Sequence, residues 1–261
     1  MHLNPMGDWC MDFSIDIREQ DGLRTLRFES QCIQGAMCIS APWDLELEYT
    51  QVMMASLLLR DASHFPRNVL LIGLGAASLA KFLYRHYPSA RLTAVEIDAR
   101  VVDVAHEYFE LPDDPLRLNI VVGDGVEYMR NSAEAFDLIL VDGFNEHAHP
   151  GELNKLPFYQ ACRARLSEQG LLAVNLIGLC HGVKGGFAHI EAAFEDRAVM
   201  FPKCKSGNTI VFAAAGDEVN ISLDELKNKS LALAERTGLE LMPIISKLDN
   251  APICQQELLK I

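Results

Sequence analysis

Two kinds of apolar patterning divide the chain. Between residues 12 and 40, the stretches "DFSIDIRE", "LRTLRFES" and "CIQGAMCIS" alternate apolar and polar positions, and Asp21-Gly22 supplies a turn. Period-two patterning of this kind predicts small antiparallel strands. "PWDLELEYTQVMMASLLL" then places apolar residues at helical spacing from Leu45 to Leu59, with Pro42 near its start, and predicts a linking helix.

From Asn68 onward the pattern changes. The apolar runs "NVLLIGL", "RLTAVEI", "LRLNIVVGD", "FDLILVD" and "GLLAVNLI" are separated by the helical stretches "AASLAKFLYRHY", "ARVVDVAHEYF", "GVEYMRNSA" and "LPFYQACRARL". Strands buried on both faces of a parallel sheet read as continuous apolar runs. "HIEAAFED" predicts one more helix, and "AVMFPKCKSGNTIVFAAA" two closing strands joined through Ser206-Gly207. Repeated βα units of this kind predict an α/β fold with a doubly wound, mainly parallel, seven-stranded sheet. The expected division is a small N-terminal β domain with its linking helix over 1–55, a nucleoside-binding α/β domain over 56–215, and a helical tail over 216–261 built on "LDELKNKSLALAERTG".

Charge and cysteine usage narrow the chemistry. A net charge of −13 repels phosphate backbones, so nucleic-acid substrates are disfavoured and cationic small molecules remain open. No stretch approaches the roughly 20 apolar residues of a membrane span, and "MHLNPMGDWCMDFSIDIREQ" lacks the pattern of a signal peptide. A cytoplasmic location is expected. The seven cysteines are odd in number and form no C-x-x-C pair, which predicts neither a disulfide framework nor a metal site.

In a doubly wound sheet, ligands bind outside the carboxyl ends of the strands. Those ends carry Gly73-Leu74-Gly75, Glu96-Ile97-Asp98, Gly123-Asp124-Gly125 and Asp142-Gly143. Each offers a glycine that admits close backbone approach or a carboxylate. Ser78 stands where a G-x-G-x-x-G dinucleotide fingerprint needs its third glycine, and no Lys-Ser/Thr follows as in a phosphate-binding loop. Glu96 stands where a carboxylate accepts from both ribose hydroxyls, and Asp124 where it meets an adenine amino group beside the open space left by Gly125. An adenosine-type ligand without pyrophosphate fits better than NAD, which points to S-adenosylmethionine or a relative. Plainer roles compete at several positions: Asp98 as a helix N-cap, Asp124 also as an N-cap, and His147 and His149 as solvated loop residues.

These motifs together resemble the spermidine synthase (polyamine aminopropyltransferase) family, built on the class I S-adenosylmethionine-dependent methyltransferase fold, a Rossmann-like fold. "VLLIGLGAASL", "VEIDARVVDVAHEYF", "VVGDGVEYM" and "FDLILVDGFN" are similar to its four strand-end motifs, and "FPKCKSGNTIVFA" to its closing hairpin. The resemblance implies that Gly73, Gly75, Glu96, Ile97, Asp124 and Gly125 bind the nucleoside. It implies that Asp142 takes a proton from the attacking amine, and that Tyr49 and Asn145 lie on the substrate side. It also implies a homodimer, with "CIQGAMCIS" and Trp43 as one source of the surface unless that segment is intradomain core.

Departures from the family pattern gather on one side. Ala76, Thr50, Asn145 and Cys204 stand where the family usually has Asp, His, Asp and Tyr. Glu146 and Glu152 are the nearby acids that could substitute. The resemblance thus implies a transferase that moves an aminopropyl group from decarboxylated S-adenosylmethionine, or uses S-adenosylmethionine itself, onto a small amine at a diverged diamine site. The alternatives are a methyltransferase acting on another small acceptor, and a non-catalytic nucleoside-binding protein whose cleft is filled by side chains.

Overall fold

The computed structural model describes residues 14–28, 33–61, 63, 65–145, 149–178, 180–251, 253–255 and 257–261. The chain opens with β1 (Asp16–Gln20), β2 (Leu23–Arg27) and β3 (Ile33–Cys38), which form an antiparallel sheet in that order. Ala36 and Met37 are buried and Met37 packs with Leu26, Ala76, Val101 and Phe109, so the middle of "CIQGAMCIS" is intradomain core; the exposed large apolar side chains of its described residues are Ile33 and Ile39, toward its ends.

The linking segment departs from expectation. α1 spans Glu48–Met53 only, and Met54–Leu58 continues as a 3₁₀ helix. Every residue from Val52 to Leu59 is buried, so no polar face remains to define an amphipathic helix. The Ser56 hydroxyl donates to Met53 O at 2.8 Å, and Leu59 N donates to Ser56 O at 3.2 Å, in the tighter 3₁₀ spacing.

The main sheet is built from β4 (Asn68–Ile72), α2 (Ser78–His86), β5 (Arg91–Glu96), α3 (Ala99–Tyr108), β6 (Leu118–Val122), α4 (Gly125–Asn131), β7 (Phe136–Val141), α5 (Leu156–Arg165), β8 (Leu166–Leu176), α6 (Cys180–Phe194), β9 (Ala198–Met200) and β10 (Thr209–Ala214). Its seven strands run in the order β6-β5-β4-β7-β8-β10-β9, parallel except where β10 pairs antiparallel with both β8 and β9. The doubly wound prediction holds. Alternate residues of each strand enter opposite cores, as a pleated strand requires. Val69 and Leu71 join α1, α2 and the tail on one face, while Leu70 and Ile72 join α5 and α6 on the other.

α6 is longer than "HIEAAFED" suggested because its first turns hold Gly182, Gly185 and Gly186, which weaken the helical signal. Gly186 has a packing reason: a Cβ there would collide with the Asn154 side chain. The tail also differs. It contains α7 (Leu223–Thr237) and α8 (Met242–Ile245), and in addition β11 (Asn220–Ser222), β12 (Cys254–Gln255) and β13 (Leu258–Lys260) in a small antiparallel sheet. These strands are two or three residues long, too short for a periodic signal.

Candidate active site

β4 and β7 are neighbours, and from them the chain winds outward in both directions. That is the switch point at which doubly wound sheets bind ligands. Ile72 pairs with Val141, so the next residues, Gly73 and Asp142, sit side by side at the strand ends. Asp142 N donates to Ile72 O at 2.8 Å, and a Cβ on Gly73 would strike the Asp142 carbonyl. Gly73, at φ +92, is therefore demanded both by conformation and by contact with β7.

A cavity of about 900 Å³ opens over these ends, within the range of small-molecule sites. Its lining includes every predicted site residue: Tyr49, Gly73, Gly75, Glu96, Ile97, Asp124, Gly125, Asp142 and Asn145. The cleft is open, not filled by side chains.

At the end of the cavity formed by β5 and β6, Glu96 is only 8% exposed. Its Oε2 accepts from Leu74 N at 2.8 Å and its Oε1 from Asp98 N at 3.1 Å. Burial pushes this carboxyl upward, and the backbone donors of Leu74, Asp98 and Gly75 oppose that rise. Asp98 is the α3 N-cap, accepting from Arg100 N at 2.9 Å, and it also pairs with the Arg100 guanidinium. Asp124 caps α4: one oxygen, Oδ1, accepts from Val126 N at 2.7 Å and Glu127 N at 2.9 Å. A Cβ on Gly125 would lie 2.6 Å from Ile72 Cγ2, so the glycine keeps α4 close to β4. Ile97 turns an apolar side chain, 44% exposed, toward the cleft.

At the other end, Asp142 is half-buried in densely packed surroundings but keeps a face to the cleft. Tyr49 donates its hydroxyl to Oδ2 at 3.0 Å, and Asn175 Nδ2 donates to Oδ1 at 2.7 Å. Burial raises the Asp142 carboxyl to about 6, although the bonds from Asn175 and Tyr49 pull the other way; the nearby Glu96 charge adds to the rise. Burial also pushes the Tyr49 phenol well up, so it stays protonated as a donor. Beyond Asn175 the network continues. Asn208 Nδ2 donates to Asn175 Oδ1 at 2.9 Å, and the Ser206 hydroxyl pairs with Asn208 Oδ1 at 2.6 Å.

Sequence reasoning missed Asn175 and Asn208. The available signal was a lone amide inside the apolar run "GLLAVNLI", since a polar group on a buried strand requires a partner.

The four departures carry no free carboxylate. Ala76 is buried against Gly35, where a Cβ would come within 2.5 Å of its own. The Thr50 hydroxyl donates to Leu47 O at 2.7 Å. Asn145 Oδ1 accepts from His149 N at 2.9 Å and so helps close the loop after β7. Cys204 is buried, with its thiol pushed up to about 11. Glu152 is exposed in a short 3₁₀ turn (Gly151–Asn154) lining the cleft; Glu146 and His147 lie outside the described residues. Among the described residues, no group of three or more His, Cys, Asp or Glu side chains is placed to hold a metal ion, and no helix is long and apolar enough to cross a membrane.

The spermine/spermidine synthase domain model matches residues 46–176, which include the linking segment and four of the strand ends above. The chain belongs to this family. A polyamine aminopropyltransferase of Neisseria meningitidis is 31% identical over 234 residues, covering 90% of this chain and 88% of its own. Family membership makes the protein a transferase. In fold it is similar to a probable spermidine synthase of Corynebacterium glutamicum, with TM-score 0.71 and 21% identity over 88% of this chain and 86% of that one. Human methyltransferase-like protein 13 in complex with SAH gives TM-score 0.66 and 25% identity, over 74% of this chain and 93% of that one.

Proposed function

We propose that the protein transfers an aminopropyl group from decarboxylated S-adenosylmethionine to a small amine, at a site whose diamine half has diverged. The observation that carries this reading is Asp142, a half-buried carboxylate raised to about 6 at the switch point and held by Tyr49 and Asn175. Glu96 would accept from the ribose hydroxyls, Asp124 through its second oxygen from the adenine amino group, and Ile97 would cover the ring. Gly73 and Gly75 admit the nucleoside backbone-close.

An ammonium has no lone pair, so the acceptor must lose a proton before it can attack. Asp142 takes that proton. The amine nitrogen then forms a bond to the carbon beside the sulfonium, the C–S bond breaks, and its electrons neutralise the sulfur. Methylthioadenosine leaves. Ala76, Thr50, Asn145 and Cys204 offer no anion for the far ammonium of a diamine, whose burial needs a carboxylate partner.

Calorimetry with S-adenosylmethionine, its decarboxylated form and methylthioadenosine, followed by product analysis with putrescine, tests the reading. Binding of the decarboxylated form and methylthioadenosine is expected, with weak spermidine formation. The likeness to the SAH-bound human protein supports a second reading, methyl transfer from S-adenosylmethionine. Preference for the carboxylated cosubstrate, with no aminopropyl product, would decide for it.

A further inference from the structure

We propose that Glu48, paired with Lys247 of the tail, is a positioning residue for the transfer: it ties together the two arms that hold the Asp142 carboxylate. The inference deepens the transfer reading and rests on it for the role of Asp142 as the base.

Asp142 is held from two sides by elements far apart in the chain. On one side Tyr49, in α1, donates to Oδ2 at 3.0 Å. On the other, Asn175 donates to Oδ1 at 2.7 Å; Asn208 holds Asn175, and Ser206 holds Asn208, in the loop between β9 and β10. Glu48 and Lys205 are the chain neighbours of Tyr49 and Ser206, one on each arm. Glu48 Oε2 accepts from Lys205 N at 2.7 Å. Among the described residues no other hydrogen bond joins α1 to that loop. This bond closes the two arms into a ring through Asp142. It is of the charge-assisted kind, short and directional.

Lys247 supplies the counter-charge. It lies in a 3₁₀ turn (Ser246–Asn250) anchored by Ile245 and Leu248, which are buried in the same core as Val52, Met53 and Met54 of the linking segment. Its Nζ donates to Glu48 Oε1 at 2.8 Å. The bond from Lys247 lowers the Glu48 carboxyl against the pull of burial, and the Lys205 N–H and the charges of both lysines add to that. Glu48 is thus a fixed anion. The Cys204 thiol, which its charge reaches, stays protonated through burial. Asp142 itself is faced by Asn175, Tyr49 and Glu96.

A clamp that served stability alone would leave the titration of Asp142 where it is. A positioning residue moves it, because Tyr49 and Asn175 both favour the charged carboxylate, and loosening either raises Asp142. Loss of the Glu48 negative charge acts through space in the opposite sense. The direction of the shift therefore separates the two causes.

The test is the titration of the Asp142 carboxyl, followed by NMR of protein labelled with carbon-13 at its aspartate carboxyls and assigned with Asp142→Asn. kcat and KM for putrescine with decarboxylated S-adenosylmethionine are measured beside it. The parent should titrate at about 6. In Glu48→Leu the midpoint should rise and kcat should fall about tenfold, within the roughly hundredfold cost of a 1 Å misplacement, while KM stays within about threefold. Lys247→Met should act in the same direction to a smaller extent. Lys247 is 38% exposed, so this variant keeps the test in hand if Glu48→Leu does not fold. Lys247→Arg, which keeps the ion pair, should keep the parent midpoint, and the double variant should be no slower than Glu48→Leu alone. A midpoint that stays in place or falls in either Glu48→Leu or Lys247→Met overturns the proposal, as does a rise in KM with kcat unchanged. A raised midpoint without aminopropyl product would sustain the brace on Asp142 and sink the transfer reading.

Discussion

Asn175 Nδ2 donates to Asp142 Oδ1 at 2.7 Å, from an amide that is itself 2% exposed and held by Asn208. The bond favours the charged carboxylate and so opposes the burial that raises Asp142 to about 6. A base must be deprotonated to act, so transfer should rise with pH through about 6 and level above it. Asn175→Leu keeps the volume and removes the donor, which moves this acid limb to higher pH and restores much of the rate on the alkaline side. A pH profile of the maximal rate for both proteins checks this. An acid limb at the same pH in each would show that Asn175 does not set the base.

Asp142→Asn separates chemistry from binding. The amide keeps the shape and can still meet Tyr49, but it cannot take a proton. Turnover should fall by about 10²–10⁴, the usual worth of a positioned general base. Methylthioadenosine affinity, measured by calorimetry, should stay within about threefold, because the proposed nucleoside contacts lie at the other strand ends. A parallel loss of both would mean that Asp142 is a structural brace.

Besides the ribose contact proposed for it, Glu96 braces the fold of the site. Its two oxygens hold Leu74 N and Asp98 N, so it ties the glycine turn after β4 to the start of α3. Glu96→Gln presents an amide donor to one of these N–H groups and leaves that contact unmade. The expected cost is about 1–3 kcal/mol of stability, with a fall of about tenfold in affinity for methylthioadenosine. Thermal melting and calorimetry read the two effects. Unchanged affinity would remove the ribose assignment, whatever the melting temperature does.

The sheet and the site were legible in the sequence to different depths. Apolar runs such as "NVLLIGL" and "FDLILVD" fixed the strands, and the residues after them had to fall at one end of a parallel sheet, which is why Gly73, Glu96, Asp124 and Asp142 meet in one cleft. The Asn175–Asn208 pair was not legible, because a contact between β8 and the hairpin loop depends on register across an antiparallel pair, not on local pattern. Nor was the neutralisation of Glu48 by Lys247, which joins residues far apart in the chain through the fold of the tail. The 3₁₀ turn after Met53 was hidden for the opposite reason: its residues are buried on every side, so periodicity is silent.

Lys81 provides a test of the fold away from the chemistry. It is 1% exposed on α2, and its ammonium donates to Pro42 O at 2.7 Å, Phe109 O at 2.6 Å and Met37 S at 3.1 Å. It thereby joins the N-terminal sheet, the linking segment and the end of α3. Burial lowers it from 10.5 to about 8 in the folded protein. Between those two values the unfolded chain holds a proton that the folded one has released, so stability from this group rises with pH through that window. Below about 8 the full cost of burying the charge is present. A neutral amine retains two protons, enough for both carbonyls. Lys81→Met removes all three contacts and leaves two buried carbonyls unmatched, at about 1–3 kcal/mol each. The variant should therefore melt lower than the parent at pH 7, and the gap should widen toward pH 10 as the parent alone gains. Denaturant titrations of both proteins across that range measure the difference directly. A gap that stays constant would show that Lys81 titrates at its ordinary value and that its pocket is wetter than the packing indicates.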